Sequence, residues 1–245
     1  MENKKKAALL LLPNLLGEIR HHQPFLPASV DKAVLELDGL IAESPQVGRR
    51  YLGRFETAKP ADQIPIALYS EKSIADLDFL LEPIKKGERW GLLSDAGLPC
   101  IADPGAKLVQ RARSVGITIQ AFVGPSSILL SLMQSGLPGQ KFYFHGYLNR
   151  DEAKRVAEIR NLEKNSAKEG ATQIFIEAPY RNVHLLDSLL ATLDDETLLC
   201  VAWELTTQDQ GIISQPVRLW KKAPLPNIAK KNAIFLFNRV LTRLV

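Results

Sequence analysis

Two runs of small residues stand where a ligand could be held by backbone. Asp95-Ala96-Gly97-Leu98-Pro99 follows the apolar run Gly91-Leu92-Leu93 and Ser94, and Gly124-Pro125-Ser126-Ser127 follows Ile117 to Val123. Small side chains let peptide N–H and C=O groups approach a bound molecule closely. Ordinary readings stand beside this one. Asp95 and Gly97 are common turn formers, and Ser126 or Ser127 is a sufficient N-cap for an apolar helix over Ile128 to Met133. Asp103-Pro104-Gly105 reads as a helix start, with Asp103 as N-cap and Pro104 at the first helical position. Glu177 closes a further apolar run, a position that faces a cleft or pairs with a cation such as Arg181. Arg49, Arg50 and Arg54 can grip phosphates or simply face solvent. His21-His22 and His145 read as plain surface and core residues. There is no Gly-x-Ser-x-Gly, no phosphate-binding Gly-rich Lys-Ser/Thr loop and no histidine pair at helical spacing. Cys100 and Cys200 lack ligand spacing, which argues against zinc and against a disulfide framework.

The elements that must position these residues follow an alternating pattern. Ala7 to Leu12 is a buried strand ended by Pro13 and Gly17. Ser29 caps a helix from Val30 to about Leu37, and Leu40-Ile41-Ala42 is a second strand closed by Glu43-Ser44-Pro45. Ile64 to Tyr69 is a third strand, and Ser73 opens a helix to about Ile84. The strand before Ser94 and the strand Ile117 to Val123 are joined by a helix from Lys107 to Val115, stopped by Gly116. Crossovers of this length predict a mostly parallel, doubly wound sheet, whose ligands sit beyond the carboxyl ends of the strands. After Pro138-Gly139 the texture changes. Strands are expected at Phe142 to Tyr147, Gln173 to Glu177, Leu198 to Leu205 and Ala233 to Phe237, with helices at Asp151 to Glu169 and Tyr180 to Leu193. Ile212-Ile213 and Val217 to Trp220 read as a hairpin or bent strand pair. The fold class is α/β, with a mixed sheet in the second half and domains at 1–139 and 140–245.

Composition narrows the class. The chain has 245 residues, 46% of them hydrophobic and 24% charged, enough apolar material for real cores and too little polar bias for disorder. A formal charge of +4 fits an RNA partner without singling one out. Lys4-Lys5-Lys6 before Ala7 to Leu12 imitates a signal peptide, but Pro13-Asn14 cuts the run short and no Ala-x-Ala site follows. The run falls well below the roughly 18 apolar residues of a membrane span. The expected location is cytoplasmic, and the cysteine usage fits a reducing compartment.

Several motifs fall in order at family-like intervals: Ser94 to Pro99, Ala102-Asp103-Pro104-Gly105, Gly124-Pro125-Ser126 and Ser135-Gly136-Leu137-Pro138. In them the chain resembles the tetrapyrrole methylase superfamily, and within it the ribosomal RNA small-subunit methyltransferase I branch. Glu177-Ala178-Pro179-Tyr180-Arg181 resembles that branch's Glu-Ser-Pro-His-Arg, and Ala202 to Thr207 its Ala-Arg-Glu-Leu-Thr-Lys, with Trp203 and Thr207 replacing two cations. Trp203 can also be a plain packing residue. Pro13 to Glu18 and Ala42-Glu43-Ser44 match only in part. The resemblance implies two α/β domains with the cofactor between them, a homodimer, and S-adenosylmethionine as methyl donor. It implies an RNA acceptor, the ribose of a small-subunit cytidine, with no metal and no membrane. The family's third, RNA-associated C-terminal segment is not expected, since the chain stops shortly after Phe237.

The contacts it implies are Pro13, Ser94, Asp95, Ala96, Gly97, Pro99, Ile101, Gly124, Pro125, Ser126, Ser127, Ala178, Pro179, Leu205, Asn232 and Ala233. The Asp95 loop would cradle the methionine part of the donor. Methyl transfer from a sulfonium is an in-line displacement needing chiefly orientation, worth about 7–11 kcal/mol of barrier. A ribose hydroxyl is a poor nucleophile and calls for a base, for which Glu43, Glu177 and Glu204 are the candidates. Two other readings remain open at this point: methylation of a tetrapyrrole or another small acceptor, and a paralogue that binds the cofactor without turnover.

Overall fold

The apolar run Ala8–Leu12 forms strand β1, buried along nearly all its length. The computed structural model describes residues 6–239. After β1 come α1 (Ala28–Leu35), β2 (Gly39–Ala42), α2 (Pro45–Leu52), β3 (Ile66–Leu68), α3 (Ile74–Lys85), β4 (Arg89–Leu93), α4 (Ala106–Ser114) and β5 (Ile119–Ala121). The sheet order is β3-β2-β4-β1-β5, and every pairing is parallel. Side chains alternate across it as a pleated strand requires. Leu10, Leu12, Leu40 and Ala42 meet α1 and α2 on one face; Leu9, Ile41, Trp90 and Leu92 meet α3 and α4 on the other. The expected doubly wound sheet is therefore present.

Its details depart from the sequence pattern where local chemistry offered two solutions. Helix α1 starts at Ala28 behind Pro27, and Ser29 lies inside the first turn instead of capping it. Strand β3 covers only Ile66–Leu68 of the apolar run, and a 3-10 turn at Ala61–Gln63 comes before that run. Helix α4 is capped by Gly105 at φ 129°, not by Asp103. The last strand, β5, lies at the edge, with β1 between it and β4.

The second half carries α5 (Ser127–Ser135), β6 (Phe142–Tyr147), α6 (Glu152–Glu169), β7 (Thr172–Ile176), α7 (Asn182–Thr192), β8 (Leu198–Trp203), β9 (Gly211–Pro216), α8 (Val217–Trp220) and β10 (Ala233–Asn238). The order is β6-β7-β10-β8-β9. Only β6 and β7 run parallel; the other pairs are antiparallel, so this sheet is mixed, as expected. Ile128 and Leu132 of α5 and Leu137 pack on one face with Ile174, Cys200, Ile234 and Leu236. Helices α6 and α7 cover the other through Ile159, Leu162, Leu185 and Leu189, against Phe175, Phe235 and Phe237. Because α5 belongs to this core, the compact units are Met1–Ser126 and Ser127–Val245, and the second begins before Gln140. The expected hairpin is instead one continuous strand, β9, followed by a single helical turn. There Trp220 is buried and donates Nε1–H to Leu199 O at 2.9 Å. Among the described residues no helix is long and apolar enough to cross a membrane.

Candidate functional site

In the first unit the parallel strands deliver their carboxyl ends to one edge. Leu12 pairs in register with Leu93, and Ala42 with Leu93 on its other side. Pro13, Ser94 and Glu43 therefore leave the sheet as neighbours. The buried Asn14 binds the first two loops together. Its side-chain amide donates to Ser94 O at 3.0 Å and Asp95 O at 2.9 Å, while its backbone N–H donates to Gly97 O at 2.7 Å. Gly97 sits at φ +69°, where a side chain is strained. The third loop presses onto the first. A Cβ on Gly124 would lie 2.0 Å from Pro13 Cβ, so only glycine permits the approach. Pro13, Ser94, Gly97, Pro99, Pro125 and Ser126 are buried, whereas Asp95, Ala96 and Ile101 are exposed. The result is a cradle of small-residue loops at the strand ends, with Asp95, Ala96 and Ile101 exposed on it.

Its charge is negative. Asp95 N–H donates to Glu43 Oε1 at 3.4 Å. Burial raises the Glu43 carboxyl above the ordinary range; the Asp95 N–H opposes this and the Asp95 charge adds to it. Asp103 is pushed up to about 6, first by burial and then by the charges of Glu43 and Asp95, with the Ser94 hydroxyl acting against the rise. The sequence pattern marked Asp103 only as a helix cap. Cys100 at φ +69° and Ala102 at φ +63° curl the loop back toward Ser94, and two non-glycine residues in that region signal a constrained loop. The density of turn formers in Ala102-Asp103-Pro104-Gly105 was the available hint.

In the second unit another edge gathers the remaining residues. Ile176 pairs with Ile234, and Trp203 with Ala233, which places the ends of β7 and β8 beside the start of β10. Ala178 and Pro179 follow β7, Leu205 follows β8, and Asn232 precedes Ala233; Lys230 N–H donates to Pro179 O at 3.1 Å. Both candidate carboxylates here are committed to partners. Glu177, only 6% exposed, accepts from Arg181 Nη2 at 2.6 Å and from Ala178 N–H at 2.7 Å. Glu204, at φ +47°, accepts from Asn232 N–H at 2.6 Å, and its own N–H donates to Asn232 O at 2.9 Å. They lock loops. Ser127 opens α5. Trp203 lies against Gly211, with Lys231 Nζ 6.0 Å from its ring.

Several other sequence candidates already have partners. Arg49 donates to Ala61 O at 2.5 Å and Ile64 O at 2.7 Å, and Arg50 pairs with Glu18 at 3.0 Å. Buried His22 meets Asp31 at 2.6 Å, with its ring centroid 4.2 Å from that of Phe55 in a tilted pair, while His145 meets Gln173 at 2.8 Å. Among the described residues no group of His, Cys, Asp and Glu side chains is placed to hold a metal.

S-adenosylmethionine fits the first unit's edge on two grounds. Its sulfonium and ammonium charges suit the Glu43–Asp95–Asp103 carboxylates, and its polar amino-acid end suits the peptide N–H and C=O groups of loops that glycine lets approach closely.

Comparison with known proteins agrees with this geometry. The sequence profile of the Tetrapyrrole (Corrin/Porphyrin) Methylases matches residues 32–219. The chain is 30% identical over 202 residues to the Ribosomal RNA small subunit methyltransferase I of Thermotoga maritima, covering 80% of this chain and 86% of that protein. It is 29% identical to the protein of the same name from Bacillus subtilis, over 84% of this chain and 66% of the relative. Its fold is that of the uroporphyrin-III C-methyl transferase from Thermus thermophilus complexed with S-adenyl homocysteine. That likeness has a TM-score of 0.58 at 14% identity and covers 95% of this chain and 97% of that one. With most of its length matched by the profile and its strand-end loops built as described, the chain belongs to the tetrapyrrole (corrin/porphyrin) methylase family.

Proposed function

We propose that this S-adenosylmethionine-dependent methyltransferase methylates RNA of the small ribosomal subunit. The observation that carries the reading is the similarity to Ribosomal RNA small subunit methyltransferase I across 80% of the chain and 86% of the Thermotoga relative. The donor supplies an electrophilic methyl group on a sulfonium and needs no metal. On this reading Pro13, Ser94 to Gly97, Pro99, Ile101 and Gly124 to Ser126 hold it by backbone contacts in the first unit. For Ser127, Ala178, Pro179, Leu205, Asn232 and Ala233 a role in holding it follows from the resemblance alone. Orientation is the chain's main contribution, and the hydrogen bonds of Asn14 keep the cradle in shape before a ligand arrives.

Glu43 is the favoured proton acceptor for the acceptor hydroxyl, with Asp103 beside it. A carboxylate held above its ordinary range is a better base near neutral pH than one that is fully solvated. Glu177 and Glu204, each tied to a backbone N–H, act as loop locks in this account. A homodimer, implied by the resemblance, and a cytoplasmic location, which the cysteine usage fits, complete the proposal.

The experiment is transfer of labelled methyl from the donor to small ribosomal subunits prepared from a strain lacking the gene. Labelled RNA is the expected product. Label appearing in an added tetrapyrrole and not in RNA would replace the acceptor, and donor binding without any transfer would replace catalysis with a binding role.

A further inference from the structure

The second unit contains a groove of about 600 Å³ that the methyl-transfer reading does not use. It runs between the first turn of α6 and the face of α7 formed by His184, Asp187 and Ser188, with Arg150 and Arg181 at its sides. Its floor is Arg155, which is only 8% exposed. The Arg155 guanidinium donates Nε–H to Ser188 Oγ at 3.1 Å, and Nη1–H to Asn149 O at 3.3 Å and Arg150 O at 3.0 Å. Every one of these acceptors is uncharged. Among the described residues no carboxylate lies within ion-pair distance of Arg155. A buried guanidinium without an anion is costly, and chains seldom keep one unless something supplies the missing charge. Ser188 Oγ donates onward to His184 O at 2.8 Å, which fixes the acceptor that aims Nε.

We infer that this groove is a binding site for a phosphate group. With Nε and Nη1 already donating to neutral acceptors, the Nη2–H groups of Arg155 are the donors left to meet phosphate oxygens. Arg150 is exposed at the same groove and adds a second cation, while Arg181 is already engaged by Glu177. Two acids, Glu152 and Asp187, also line it, but both are exposed and solvated. They temper the affinity without neutralising the buried cation. The phosphate can belong to an RNA backbone or to a free phosphate compound; the shared chemistry is one tetrahedral dianion or diester over Arg155. The inference is independent of the methyl acceptor, and it stands or falls separately from donor binding.

The test is calorimetric titration of the full chain with inorganic phosphate at low ionic strength, repeated on three variants whose folding is checked by circular dichroism. Wild type binds phosphate saturably. Arg150→Ala weakens binding about 5-fold, Arg155→Lys weakens it about 10-fold by removing the Nη2 donors and the neutral contacts that aim them, and Asp187→Asn tightens it about 3-fold. Absence of saturable heat overturns the inference. So does weakening by Asp187→Asn, which would mark a cation site, and so does indifference to Arg150→Ala. Competition by a short single-stranded oligoribonucleotide that follows the same order of variants assigns the phosphate to an RNA backbone; competition by a phosphomonoester alone assigns it to a free compound.

Discussion

At Asp103 the cost of carrying charge is raised by burial and by two neighbouring carboxylates, and this makes a pH-dependent prediction. Its folded value of about 6 lies above the ordinary aspartate value of roughly 4, so the folded chain holds the proton more tightly than the unfolded one. That contribution to stability is fully present below about pH 4 and is lost as pH rises through about 6. Asp103→Asn keeps the neutral form at every pH. It should leave stability at pH 4 unchanged and raise it by about 1–2 kcal/mol at pH 8, after discounting for partial exposure. Urea unfolding at the two pH values measures the difference; equal effects at both would show that folding does not raise the Asp103 carboxyl. Asn14 makes the opposite kind of prediction. Asn14→Ala strands the Ser94 and Asp95 carbonyls and should cost about 2 kcal/mol. Donor affinity should fall at least about 10-fold, because the loop it ties is the proposed cradle. Calorimetry with the donor checks this.

At the scale of elements, the close approach of the β1–α1 and β5–α5 connections depends on one missing side chain. Gly124→Ala would place a Cβ 2.0 Å from Pro13 Cβ, so the two connections must part. We expect a stability loss of about 2–3 kcal/mol together with loss of measurable donor binding. Gly116→Ala is the control. It lies at φ +76° beyond α4 with nothing within 4 Å of its Cβ position, so it should cost about 1 kcal/mol and leave donor binding intact. Thermal melts with and without donor separate the two outcomes. Equal donor binding in both variants would remove this loop pair from the site. The elements themselves were mostly legible beforehand, since apolar runs bounded by Pro, Gly or Ser admit few alternatives. The misreadings cluster where a polar residue could do either of two jobs. Ser29 and Asp103 have the chemistry of N-caps, but Pro27 and Gly105 take those positions. Val217 to Trp220 has a strand's composition, yet it turns once as helix because Trp220 must bury its ring and reach Leu199 O.

For the whole molecule, the modest net charge of +4 sets what an RNA interaction can look like. Binding of small-subunit RNA should depend on a limited number of phosphate contacts, with affinity falling about 10-fold or more between 50 and 200 mM salt. Filter binding across that range tests it, and a flat profile would count against an RNA acceptor. Bound donor should also protect the fold, by about 2.7 kcal/mol at a concentration one hundred times its dissociation constant.

The chain's own pattern determined the alternation of strands and helices, the change from a parallel to a mixed sheet, and the placing of small-residue loops at strand ends. These depend on periodicity and on residues with restricted backbones, which act locally. Tertiary structure alone decided which carboxylates share a field. Glu43, Asp95 and Asp103 come together because β2, β4 and a left-handed turn at Cys100 and Ala102 converge, while Glu177 and Glu204 are consumed by Arg181 and by backbone N–H groups. Burial and partnering of a charge are properties of surroundings that come from distant parts of the chain. No run of residues read by itself contains them.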